Sequence, residues 1–158
     1  MQLSGGRKQM TDNLYTPFLE ATRNVFQLML DLSDVAESPA EAFKCDDEVD
    51  VSIGVTGDLV GEVIYRFPRE TSLNMVKIMS GMEIESVDDF VTSAISEIAN
   101  IISGNVLTML AGEDMKCDIL PPVLKKSDDS REYAIRTACC ISTSAGNVCL
   151  DIRLNHAK

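Results

Sequence analysis

The sequence predicts an α+β fold in which an antiparallel β-sheet packs with two long helices and one shorter helix. Residues 49–55 and 59–67 are strand-like and are separated only by Thr56-Gly57-Asp58. A second strand pair, 133–142 and 147–154, turns at Ser144-Ala145-Gly146. Strands joined by turns this tight pair antiparallel. Helical periodicities precede the first pair and follow it, so the element order is α, β, β, α, α, β, β, β, which argues against a wound parallel sheet.

Each element has a local signal. Thr16-Pro17 reads as an N-cap followed by Pro at the first helical position. Phe18, Ala21, Val25, Leu28 and Leu32 then recur at spacings of three and four. AESPAEAFKCDD (36–47) reads as a loop. VDVSIGV (49–55) alternates apolar and polar residues, which predicts a strand with one wet face. The next strand ends at Phe67-Pro68, and a short helix over 70–80 stops at Gly81. The long helix is predicted over 87–111, with Ser86 as N-cap, Asp88 and Asp89 in its first turn and Gly112 at its end. CDILPPVL (117–124) is a short strand interrupted by Pro121 and Pro122, hence an edge or a stop. KKSDDSRE is a polar loop, and the 133–154 hairpin is a candidate free edge for pairing with a second copy. LEATRNVFQLML (19–30) and SEIANIISGNVL (96–107) echo one another, which suggests an internal duplication.

The length of 158 residues fits one domain, predicted over 13–158, preceded by a disordered or vector-derived extension over 1–12. The net charge of −11 repels a phosphate backbone, and the longest basic run is Lys125-Lys126, so nucleic acid is not an expected partner. Five cysteines without a CxxC pair, and no signal peptide, predict a reducing, cytoplasmic setting. With a single histidine, His156, no metal site is expected in this chain. No uninterrupted apolar run approaches ~18 residues, so no membrane insertion is expected.

The stretch SAISEIANIISGN (93–105) sets polar groups among isoleucines. With Ser93 at zero and about 100° per residue, Glu97 falls at about 40°, Asn100 at about 340° and Gly104 at about 20°. Ser96 and Ser103 flank this line at about 300° and 280°, while Ile95, Ile98, Ile101, Ile102 and Met109 lie between about 80° and 200°. A solvated face would more often carry Lys and several Glu. Here one carboxylate, one amide, small hydroxyls and a glycine make a narrow line that another surface can approach closely. Asn105, at about 120°, falls in the apolar arc and is expected to tie the helix to a neighbouring backbone segment.

YTPFLEATRNVFQLML (15–30), the helix text Ser93-x3-Glu97-x2-Asn100 followed by Gly104-Asn105, and ILPPV (119–123) together resemble the CheX/CheC/FliY family of chemotaxis phosphatases, most of all its CheX-like members. The likeness spans about residues 14–155 and adds a CheX/CheC-like form to the fold class. Either Pro121 or Pro122 matches the family proline. The first helix has Glu20-x3-Asn24 in place of a second ExxN, which favours one site per subunit. The resemblance implies a phosphatase that removes the phosphoryl group from the aspartate of a CheY-like response regulator. Glu97 and Asn100 would be the catalytic pair, with Asn100 positioning the hydrolytic water and Glu97 pairing with the regulator's active-site Lys. Ser93 and Gly104 would line the contact. The resemblance also implies that this chain binds no cofactor, that Mg²⁺ sits in the regulator's site, and that the chain forms a homodimer. The competing expectation is a CheX-like module that binds a regulator or a scaffold without hydrolysis.

Overall fold

A computed structural model describes residues 14–38, 48–124 and 132–157. The extension expected over 1–12, most of the loop expected over 36–47, and the polar loop after Leu124 except Glu132 lie outside the described residues.

The order of elements is α1 (Tyr15–Leu30), β1 (Ala36–Ser38), β2 (Glu48–Gly57), β3 (Leu59–Pro68), α2 (Arg69–Ser80), α3 (Asp89–Ala111), β4 (Cys117–Ile119), β5 (Val123–Leu124), β6 (Ile135–Thr143) and β7 (Gly146–His156). The strands form one antiparallel sheet in the order β1-β6-β7-β3-β2-β4, with β5 also on β2. Both predicted hairpins are present, and β3 pairs with β7 to join them from Leu59↔His156 to Arg66↔Cys149.

Alternate strand residues build the core: Val49, Val51, Ile53 and Val55 from β2, Val63, Tyr65 and Phe67 from β3, and Val148, Leu150, Ile152 and Leu154 from β7. The apolar sides of all three helices close over these residues, so the helices form one layer on one face of the sheet. α1 packs against α3 and β6, and α2 packs against α3 and β7.

On the other face of the sheet, Thr56 and Val60 are exposed, while Asp50 and Ser52 are buried rather than wet as predicted for 49–55. Cross-strand pairing places polar partners beside them. Ser52 donates to Glu62 at 2.6 Å. Two strands away, the Asp151 carboxylate accepts from Arg153 at 2.7 Å and from Arg66 at 3.5 Å, and lies 3.9 Å from Arg136.

Several boundaries differ from the sequence reading for local reasons. α1 begins at Tyr15 with Leu14 at its N-cap, so Thr16 and Pro17 lie inside the first turn, where a missing N–H leaves no helix bond unmade. It ends at Asp31, whose left-handed φ of 54° closes the last turn, and Leu28 is 86% exposed rather than buried. Ala36–Ser38 is a strand, because its backbone pairs with Cys140–Ser142 of β6. Within the 133–154 hairpin, β7 lies between β6 and β3, and β1 pairs only with Cys140–Ser142 of β6. β4 and β5 together make one edge on β2. Leu120, Pro121 and Pro122 stand opposite Ile53 and Gly54, a bulge where the prolines have no N–H to give the ladder. α3 starts two residues later than predicted, capped by Asp88 rather than Ser86. Gly112 at its end is right-handed (φ −66°).

α3 is also long and apolar enough, by length and average composition, to cross a membrane. Its apolar residues face the protein's own core: Val91, Ile95, Ile98, Ala99, Ile102, Val106 and Leu110 are all buried.

Candidate active-site helix

One polar contact caps the start of α3 and another ties the helix to the sheet. The Asp88 carboxylate accepts from Val91 N–H at 3.1 Å, satisfying an orphan donor of the first turn. Deeper in, the Tyr65 hydroxyl of β3 and the Ser103 hydroxyl of α3 share a 2.6 Å hydrogen bond in the buried interior. Ser103 is thus a core residue and not a flank of the polar line. Burial pushes the Tyr65 phenol well above its ordinary range, the bond to Ser103 opposing that shift.

With the apolar side seated, the opposite side of α3 is presented outward. Ser93 and Glu97 are exposed, and Asn100 and Gly104 are half-buried. The structure keeps all four on one line, Glu97 and Asn100 about 4.5 Å apart along the axis. Among the described residues, no hydrogen bond or ion pair engages the side chains of Ser93, Glu97 or Asn100. A Cβ built on Gly104 would meet nothing within 4 Å, so the surface there is open. The line is a free carboxylate, a free amide and a bare stretch of backbone.

Asn105 departs from expectation. Its amide donates to Ile101 carbonyl oxygen, one turn back in the same helix, at 3.0 Å. It is half-buried, and its partner is not a neighbouring segment. At the boundary of the buried arc, the nearest free carbonyl lone pair is the helix's own.

Phe90 belongs to the same exposed side and is not singled out by the sequence reading. Its position was legible: three residues before Ser93, it falls at about 60° on the same count. Glu20 and Asn24 of α1 are exposed with Arg23 and Gln27 around them, an ordinary solvated face.

The four described cysteines, Cys117, Cys139, Cys140 and Cys149, are free thiols, and Cys139 and Cys149 are pushed up in pKa chiefly by burial. Cys45 lies outside the described residues. Among the described residues, no cluster of His, Cys, Asp or Glu could hold a metal ion.

Residues 49–144 match the family model described as chemotaxis phosphatase CheX. The chain belongs to the CheX family. Over 78 residues it is 37% identical to the CheY-P phosphatase CheX of Thermotoga maritima, a match covering 49% of this chain and 50% of that protein. The chain thus aligns with about half the length of that curated relative. Among solved structures, it is similar to the chemotaxis protein CheX of Vibrio vulnificus, with a TM-score of 0.78 at 23% identity, covering 90% of this chain and 97% of that one. It is also similar to CheX in a CheX-CheY-BeF3-Mg complex from Borrelia burgdorferi (TM-score 0.67, 22% identity, 89% and 97% covered). Thermotoga maritima FliY has the same fold (TM-score 0.65, 16% identity, 92% and 89% covered).

Proposed function

We propose that this CheX-family chain dephosphorylates a phospho-aspartyl response regulator of the CheY type. The observation that carries the reading is the line of Ser93, Glu97, Asn100 and Gly104 on α3, exposed or half-buried and without side-chain partners among the described residues. An acyl phosphate is already reactive, and the regulator brings its own Mg²⁺ and Lys. What is missing is a water held in line with phosphorus. Phosphoryl transfer depends mainly on positioning and electrostatics, so no nucleophile is required of this chain.

Asn100 suits that task, because a neutral amide can accept from the water and donate to a phosphoryl oxygen. Glu97, one turn earlier, would pair with the regulator's Lys and set the docking. Ser93 and Gly104 line the contact, and the missing side chain at Gly104 admits the partner's backbone. Holding one water is asked to supply about 2.7 kcal/mol per hundredfold of rate. The chain would act once per subunit, in the cytoplasm, as a single domain over 13–158 that forms a homodimer. A mass measurement in solution tests the dimer.

The functional test is phosphate release from a CheY-type regulator charged with a small phosphodonor. Asn100→Ala is expected to lose most of the rate while still binding the activated regulator. Equal rates for Asn100→Ala and wild type would remove Asn100 from the mechanism. Persistent phosphate in a stable wild-type complex would mark the chain as a binding module.

A further inference from the structure

We propose that Phe90 is the apolar anchor that docks this chain on the receiver domain of its regulator, controlling affinity and not turnover. The inference rests on the functional reading of Glu97 and Asn100 given above. Phe90 lies three residues before Ser93 and seven before Glu97, spacings that keep side chains on one side of a helix. It is 49% exposed, whereas Phe18, Phe26 and Phe67 are at most 3% exposed. The fold buries its other described phenylalanine rings and leaves this one out. α3 has no need of it for packing, since Val91, Ile95 and Ile98 already fill the core beneath that end of the helix.

The surroundings of the ring specify the partner. Asp89 at about 320° and Glu97 at about 40° are exposed carboxylates toward the outward side of the helix, near the ring at about 60°. An aromatic side chain flanked by carboxylates complements an apolar dent bordered by basic residues on the receiver. Axial rise separates the roles. Phe90 lies about 10 Å from Glu97 and about 15 Å from Asn100 along the helix. With Asn100 at the phosphoryl group, the ring meets the receiver well away from the reacting atoms. It can therefore hold the complex without entering the chemistry. The surface runs from a large ring at Phe90 to no side chain at Gly104, a taper that fixes which end of the helix meets which part of the receiver.

The test compares wild type, Phe90→Ala and Phe90→Leu. One arm measures Kd for a CheY-type receiver held active by beryllofluoride and Mg²⁺, and the other measures steady-state dephosphorylation. Phe90→Ala should raise Kd and KM by about tenfold or more, as loss of a central aromatic anchor does. Its kcat and thermal midpoint should match wild type, and Phe90→Leu should recover part of the affinity. Unchanged Kd for Phe90→Ala, or a fall in kcat at unchanged Kd, overturns the proposal. If Asn100→Ala turns over normally while Phe90→Ala binds weakly, the catalytic assignment fails and the anchor stands. The reverse pattern removes the anchor alone.

Discussion

Tyr65 and Ser103 join the sheet to α3 through one 2.6 Å hydrogen bond between two buried hydroxyls. Apolar packing alone lets a helix slide or roll by small amounts, whereas a buried polar pair tolerates one arrangement. Tyr65→Phe and Ser103→Ala should each cost about 1–2 kcal/mol, because each leaves a buried hydroxyl or its site without its partner. The double variant should cost less than the two single losses together. Urea denaturation measures all three, and strict additivity would mean the two hydroxyls are not coupled.

Gly104 separates stability from function. Its Cβ position is open and its backbone is helical, so alanine there meets no obstacle. Gly104→Ala should stabilise the fold by about 0.5–1 kcal/mol through helix propensity. The same methyl group should slow dephosphorylation by holding the regulator off. A variant both more stable and fully active would refute the close approach at this residue.

Stability should fall in alkaline solution. Burial pushes the Cys139 thiol from 9.0 up to about 11, with a hydrogen bond from Tyr15 pulling it part of the way back. The unfolded thiol loses its proton first as pH rises, while the folded one keeps it. The contribution is therefore fully present below the unfolded pKa and is lost as pH climbs toward the folded one. Cys149 and Tyr65 are shifted in the same direction, also chiefly by burial. Denaturation midpoints taken between about pH 8 and 10 should decline, and Cys139→Ala should decline less steeply.

The start of α3 gives a further contrast. Asp88→Ala removes the acceptor of Val91 N–H and should cost about 1 kcal/mol. Ser86→Ala should change stability by less than about 0.5 kcal/mol, since Ser86 is exposed and lies outside the cap. Equal effects in chemical denaturation would put the cap back at Ser86.

Elements with strong local signals were readable from sequence, and those decided by partners were not. Thr56-Gly57-Asp58 and Ser144-Ala145-Gly146 announce their hairpins because turn chemistry is local. The line of Ser93, Glu97, Asn100 and Gly104 was readable because helical angle depends on spacing alone. Ser103 was misplaced because angle does not reveal that a tyrosine hydroxyl waits inside the core. Ala36–Ser38 looked like loop because its strand character comes from β6, about a hundred residues later. Asp50 and Ser52 looked solvated because alternation shows which residues share a face and not whether that face is buried. The assignment of a reaction to Glu97 and Asn100 came from resemblance, since a Glu and an Asn three apart on a helix carry no chemistry by themselves.

The placement of β7 bears on how the protein is made. Its residues, Gly146–His156, lie between β3 and β6, while α1, β2, β3 and α3 all precede them in the chain. During synthesis the ribosome releases every helix and the first hairpin before the strand that unites the sheet. Until then the edge of β3 that faces away from β2 has no neighbouring strand. Sheet closure is therefore a late event that joins β3 to a strand distant from it in sequence, and until it occurs the nascent chain carries an open strand edge.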